Sequence, residues 1–154
     1  DYGERYSKQN NSLYTRQPVL QYRPAHVDRR YEDEVRGLFR LCKERKISCL
    51  FSTQPTAYGK SVSPEIVRRL WMTPPEASYT LDLDSLIWIA NLYNSYLEKA
   101  VKDEDSKYIQ LCDLARALPP SQAAFYDDVH FNIAGANLAA RTLFSCARTE
   151  VPLH

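Results

Sequence analysis

Apolar residues recur at helical spacing in three segments of the chain. In the first segment these residues are Tyr31, Val35, Leu38, Phe39 and Cys42. The other two segments run from about Leu83 to Lys102 and from Ile133 to Cys146. A period of three to four residues predicts amphipathic helices. We expect Asp28 to cap the first helix, and either Asp82 or Asp84 to cap the second.

Two short apolar runs between these helices predict buried strands. They are Ile47 to Ser52, closed by Thr-Gln-Pro-Thr, and Tyr108 to Leu111, followed by a helical turn from Asp113 to Leu118. The order of helix, strand, helix, strand and helix indicates the α/β class. Because an open parallel sheet normally carries helices on both faces of four or more strands, we expect further strands from an N-terminal part outside these residues.

The remaining segments lack periodicity and are predicted to be irregular. Residues 1–24 are polar and are expected to form an arm or a loop, and residues 149–154 a tail. A long proline-rich loop is expected from Ala57 to Asp82, with a helical turn around Glu65 to Trp71. Residues 25–148 then form part of one domain. Since the chain begins without Met or a leader sequence, we expect a fragment or a processed product.

Composition and charge exclude several classes of function. The chain has 154 residues, of which 44% are hydrophobic, enough for one core. A formal net charge of +1 provides no long-range field for nucleic acid, and no apolar run approaches the roughly 20 residues that span a bilayer. We therefore expect no nucleic-acid partner and no membrane insertion.

The four cysteines are far apart, in apolar segments, with no Cys-x-x-Cys pair and no neighbouring histidine. This pattern does not fit a zinc site and favours buried free thiols. We expect no metal and no cofactor, and the cysteines leave the cellular compartment open.

One short block carries a candidate for catalysis. Asp127 and His130 are three residues apart in a loop that leads directly into the last helix. One turn can bring the carboxylate to imidazole Nδ1 and leave Nε2 pointing outward as a general base. The alternative is a hydrogen-bonded or exposed loop histidine without a catalytic role.

The block from Phe125 to Gly135 reads Phe-Tyr-Asp-Asp-Val-His-Phe-Asn-Ile-Ala-Gly. It resembles the C-terminal block of the SGNH hydrolases, also called GDSL-type esterases and lipases. The Thr-Gln-Pro segment after Ser52, and the run from Ile109 to Ala115, are similar to further parts of that family. The resemblance extends from about Val27 to Leu143. It implies a three-layer α/β/α flavodoxin-like fold with a parallel sheet, of which residues 25–148 are the C-terminal part.

The resemblance also implies roles for the site residues. His130 would be the general base and Asp127 its orienting carboxylate, with Asp128 as the rival acid, which could equally be solvated or cap the next turn. The family's nucleophile lies in a Gly-Asp-Ser block near the N-terminus, and this sequence contains no Gly-Asp-Ser. We therefore expect a missing N-terminal segment of the same domain to supply the serine, and the chain alone to be inactive.

The resemblance implies a serine ester hydrolase of the esterase or carbohydrate O-deacetylase class, whose substrate is a small-molecule or carbohydrate ester. An O-acyltransferase using the same dyad is one alternative, and a truncated or degenerate SGNH-like binding domain without catalysis is another. The full-length sequence would separate enzyme from binding domain by the presence of Gly-Asp-Ser.

Other residues have weaker cases. Thr53 and Gln54 follow a predicted strand and either line the substrate pocket or form a simple turn. Trp71 and Met72 form either an apolar lid or ordinary packing. Asn132 is expected to begin the last helix, and Gly135 to permit close packing. His26 and His154 are expected on the surface.

Overall fold

The computed structural model describes residues 18–67, 70, 79–121 and 123–150. The strands in this part of the chain are β1 (Val19–Leu20), β2 (Cys49–Ser52), β3 (Thr80–Leu81) and β4 (Ile109–Cys112). The helices are α1 (Arg29–Arg45), α2 (Pro64–Val67), α3 (Leu83–Glu104), α4 (Leu114–Ala117) and α5 (Ile133–Glu150).

The two predicted buried strands pair with each other. β2 and β4 are parallel and in register from Cys49 opposite Ile109 to Ser52 opposite Cys112. Parallel neighbours need a crossover connection, and the long helix α3 lies in the segment between them. The fold is therefore mixed α/β, as the order of elements predicts.

The predicted helix starts are confirmed where a cap was expected. Asp28 accepts a hydrogen bond from the backbone N–H of Arg30 at 2.8 Å, and α1 begins at Arg29, directly after Asp28. Of the two candidates for the second helix, Asp82 is the cap, since its carboxylate accepts from the backbone N–H of Ser85 at 2.7 Å. These caps satisfy backbone N–H groups that have no partner inside the helix.

Helices lie on both faces of the β2–β4 pair. Successive side chains of a strand point to opposite faces, so Ile109 and Leu111 share one face while Cys112 points to the other. The first face contributes to a core cluster that contains Phe39 of α1 and Leu97 of α3. On the second face, Cys112 is bonded to Cys146 of α5.

The prediction of free thiols is wrong, because all four cysteines form disulfides. Cys42 pairs with Cys49, and Cys112 pairs with Cys146. The first pairing arises because α1 turns directly into β2 through Lys46, which has a φ of 54°. The second arises because α5 packs on β4. Neither proximity is visible as a sequence motif, since both depend on how the helices pack against the strands.

A small second sheet was not predicted. Val19 and Leu20, within the segment expected to be an irregular arm, pair in parallel with Thr80 and Leu81. The paired residues of these two-residue strands are 61 positions apart, which leaves no local period, so only the tertiary structure reveals them. At the other end, α5 continues to Glu150, two residues into the predicted tail.

The predicted helical turn near Glu65 is present as α2. Trp71, Met72 and His154 lie outside the described residues. No helix in the part of the chain that the structure describes has the length and apolar character needed to cross a membrane.

Candidate active site

The carboxyl ends of β2 and β4 bring polar residues together at one edge of the sheet. The backbone N–H of Thr53 continues the ladder by donating to the carbonyl oxygen of Cys112 at 3.2 Å. Immediately beyond the ladder, Thr53 Oγ1 donates to Asp113 Oδ1 at 2.9 Å. This edge is where ligands bind in open α/β sheets.

The loop that carries Asp127 and His130 is closed on itself by backbone hydrogen bonds. The N–H of Tyr126 donates to the carbonyl of His130 at 2.9 Å, and the N–H of Asn132 donates to the carbonyl of Ala124 at 3.0 Å. Phe125 and Phe131 form an antiparallel bridge between these bonds. The loop is thus a tight hairpin that holds residues 127–129 at its tip.

Helix α5 begins directly after this hairpin. Asn132 Oδ1 accepts from the backbone N–H of Gly135 at 2.9 Å, which confirms Asn132 as the residue that starts the helix. A Cβ atom on Gly135 would lie 1.9 Å from the carbonyl oxygen of Ala124. Glycine is therefore required by close backbone approach, as predicted, and the hairpin packs directly against the first turn of α5.

Asp127 and His130 are joined as the spacing predicts. His130 Nδ1 lies 2.9 Å from Asp127 Oδ2 and 3.0 Å from Oδ1. Asp127 Oδ1 also accepts from the backbone N–H groups of Val129 at 3.0 Å and of His130 at 2.9 Å. The backbone of its own turn therefore fixes the Asp127 carboxylate, independently of the contact with the His130 ring.

The exposure of the two side chains differs sharply. The side chain of Asp127 is 7% exposed, whereas that of His130 is 66% exposed. An ionised carboxylate only accepts hydrogen bonds, so the nitrogen facing it, Nδ1, carries the proton of the neutral ring. Nε2 is then the unprotonated nitrogen of a side chain that is largely exposed to solvent. This arrangement can take a proton from a group that approaches from outside.

Asp128 contacts the loop after β2. Its Oδ1 accepts from Tyr58 Oη at 2.9 Å, and its carbonyl oxygen accepts from the backbone N–H of Ala57 at 2.8 Å. The residue is 6% exposed, so the suggestion that Asp128 is solvated is wrong. Burial, and next the charge and hydrogen bond of Asp128, raise the pKa of the Tyr58 hydroxyl well above its ordinary value. Tyr58 therefore stays a neutral donor to that carboxylate.

Thr53 and Gln54 lie at the carboxyl end of β2, but their polar groups have partners within the protein. Thr53 is fully buried, and its Oγ1 also accepts from the backbone N–H of Ala115 at 2.8 Å. Gln54 is exposed, and its backbone is held by Asn94 through bonds of 2.8 and 3.0 Å. These contacts give the Thr53 hydroxyl a structural role, and contact of either residue with substrate stays a prediction.

Three residues that shape this region were not among the predicted site residues, namely Tyr58, Asn94 and Asp113. Asp113 follows a strand directly, and that position is a usable signal for a site residue. Tyr58 and Asn94 carried no such signal, because one lies in an irregular loop and the other within a helix. Their roles depend on contacts across 70 and 40 residues of sequence.

A cavity of about 500 Å³ lies elsewhere, between the small β1–β3 sheet and α3. Its lining includes Tyr22, Tyr79, Tyr93 and His26, the last exposed as predicted. Within the described residues, no three or more His, Cys, Asp or Glu side chains are grouped so that they could hold a metal ion.

Comparison with protein-family models, with curated proteins and with solved structures finds no match.

Proposed function

We propose that this chain is the C-terminal part of an SGNH-type serine ester hydrolase with a three-layer, flavodoxin-like α/β/α fold. The observation that carries the proposal is the contact of 2.9 Å between buried Asp127 and the exposed ring of His130. The position of this dyad just before the last helix, and helices on both faces of the parallel strands, support the same family.

In this proposal His130 Nε2 removes the proton from the attacking serine hydroxyl. Asp127 holds the ring in the Nδ1–H tautomer and stabilises the imidazolium that forms. The imidazolium then gives its proton to the alkoxide as the alcohol departs. The acyl group stays on the serine, and this is the acyl-enzyme. His130 next activates a water molecule that hydrolyses the acyl-enzyme and restores the free serine.

The serine and the oxyanion-hole donors are proposed to come from residues outside this sequence. A dyad without a nucleophile does not catalyse by the covalent route, and each oxyanion donor contributes about 3 to 4 kcal/mol in serine hydrolases. We therefore propose that the complete domain is active and that these 154 residues alone are not. Acetyl or other short acyl esters, including those on carbohydrates, are the proposed substrates.

One observation favours a second candidate, a non-catalytic domain that binds a ligand through the same cleft. The sequence contains no Gly-Asp-Ser. In that case the Asp127–His130 contact would be purely structural.

The test is hydrolysis of p-nitrophenyl acetate by the complete protein, including any residues outside these 154. His130→Ala and Asp127→Asn should each lower kcat, and the loss for Asp127→Asn should be about 10⁴-fold, as for the carboxylate of other triads. His26→Ala, which removes an exposed histidine outside the dyad, is the matched control and should retain activity. Equal, slow turnover in all four proteins would contradict the hydrolase and favour the binding domain. Transfer of the acyl group to an added alcohol in preference to water would indicate the acyltransferase.

A further inference from the structure

Tyr58 connects the sheet to the dyad through a single buried residue. Only five residues separate Tyr58 from the end of β2. The Tyr58 hydroxyl donates to Asp128 Oδ1 at 2.9 Å. The backbone of the same segment binds the same residue, since Ala57 N–H donates to the carbonyl of Asp128 at 2.8 Å. Asp128 is thus held by both its side chain and its main chain.

Asp128 occupies the middle of the turn that orients His130. Asp127 precedes it, and the N–H groups of Val129 and His130 bind the Asp127 carboxylate. A shift of residue 128 therefore moves both members of the dyad. His130 Nδ1 lies within 3.0 Å of both carboxylate oxygens of Asp127, so the position of the turn helps to set the orientation of the ring.

We propose that Tyr58 is a positioning residue for the Asp127–His130 dyad, acting through its hydrogen bond to Asp128. The pair holds the turn at a fixed place relative to the carboxyl end of β2. The catalytic consequence rests on the proposed hydrolase function, whereas the effect on the dyad itself does not. Asp128 is then the acceptor through which the dyad is anchored to the sheet.

The test is the tautomer of His130 in this 154-residue chain, measured from the ¹⁵N shifts of the ring at a pH where the ring is neutral. The Nδ1–H tautomer should dominate in the unmodified protein, because Asp127 accepts that proton. Tyr58→Phe should lower the ratio of Nδ1–H to Nε2–H by about fivefold, the scale of one hydrogen bond. Tyr126→Phe, which removes a hydroxyl from the dyad hairpin itself, should leave the ratio unchanged. An unchanged ratio in Tyr58→Phe would overturn the proposal.

Asp128→Asn keeps an oxygen that can accept from Tyr58 Oη. The ratio of Nδ1–H to Nε2–H in this variant should therefore stay close to that of the unmodified protein. A fall as large as that of Tyr58→Phe would mean that the charge of Asp128, and not the hydrogen bond, orients the ring, and would overturn the role of Tyr58. If Tyr58→Phe does not fold, the double variant Tyr58→Phe/Asp128→Leu removes both polar partners and avoids an unsatisfied buried carboxylate. A folded double variant with the original ratio would also overturn the proposal.

Activity of the complete protein separates this inference from the proposed function. Tyr58→Phe should lower kcat by up to about fivefold, the same scale as the tautomer shift, with little change in KM, because the proposed role of Tyr58 is to position the dyad. If the complete protein has no esterase activity while Tyr58→Phe still changes the tautomer ratio, the hydrolase proposal fails and the positioning role holds. If the enzyme is active and Tyr58→Phe changes neither kcat nor the ratio, the positioning role fails alone.

Discussion

Thr53 and Asp113 connect the carboxyl ends of the two central strands. Thr53 Oγ1 donates to Asp113 Oδ1 at 2.9 Å and accepts from the N–H of Ala115 at 2.8 Å. Asp113 Oδ1 in turn accepts from the N–H of Arg116 at 3.2 Å, at the start of α4. One buried hydroxyl therefore joins β2, β4 and the helical turn that leads toward the dyad hairpin.

Thr53→Val should lower the free energy of unfolding by about 2 kcal/mol. The substitution keeps the shape of the side chain but removes both hydrogen bonds at a fully buried position. Urea unfolding followed by circular dichroism measures the loss. Thr53→Ser retains the hydroxyl and should cost less than Thr53→Val. If the serine variant is the less stable of the two, the methyl group matters more than the hydroxyl, and the structural role given to these bonds is wrong.

The elements that the sequence predicts correctly are those whose signal is local. The caps at Asp28 and Asp82 are short-range, and the strands at Cys49–Ser52 and Ile109–Cys112 are compact apolar runs. The contact between Asp127 and His130 belongs to the same class, because three residues in one turn determine it.

The features that were missed depend on distant partners. Val19 and Leu20 become a strand only because Thr80 and Leu81 lie beside them. The two disulfides require helices to be packed on strands. Tyr58 gains its role from Asp128, 70 residues further along the chain. Such features need tertiary structure, since no periodicity or motif marks them.

The Cys112–Cys146 disulfide should contribute more to stability than Cys42–Cys49. The loops they close differ in length, with sequence separations of 34 and 7 residues. The chain-entropy relation gives about 3 to 4 kcal/mol for the longer loop and about 2 kcal/mol for the shorter one. Replacing both cysteines of one pair by alanine, followed by urea unfolding, measures each contribution.

Alkylation with iodoacetamide before and after reduction checks that the bonds exist. We expect modification of the four cysteines in the denatured chain only after reduction. Persistent disulfides are typical of oxidising compartments. Alkylation of the unreduced denatured chain at any cysteine would contradict the pairing.

Tyr58 should make the protein less stable at alkaline pH. Its folded-state pKa is raised by burial and by the negative Asp128, so the unfolded chain releases the phenolic proton at lower pH than the folded chain. The stabilisation is complete below the ordinary tyrosine pKa of about 10 and is lost progressively as the pH rises above it. The free energy of unfolding between pH 8 and about 11.5 should therefore fall more steeply in the unmodified protein than in Tyr58→Phe. Parallel curves would mean that Tyr58 ionises equally easily in both states.

Gly135 and Gly37 should respond in opposite directions to the same substitution. Both lie in helices, where alanine is favoured over glycine by up to about 1 kcal/mol. At Gly37 a Cβ atom meets nothing within 4 Å, so Gly37→Ala should stabilise the protein by about 0.5 to 1 kcal/mol.

At Gly135 the new atom would lie 1.9 Å from the carbonyl oxygen of Ala124, and a backbone atom cannot move aside without opening the dyad hairpin. Gly135→Ala should therefore destabilise the protein by at least about 2 kcal/mol, the scale of overpacking in a core. Because Asn132 donates to the same carbonyl, the hairpin should lose that bond as well. Unfolding curves of the two variants give the signs. Stabilisation by Gly135→Ala would mean that the hairpin does not pack against α5 as closely as these contacts require.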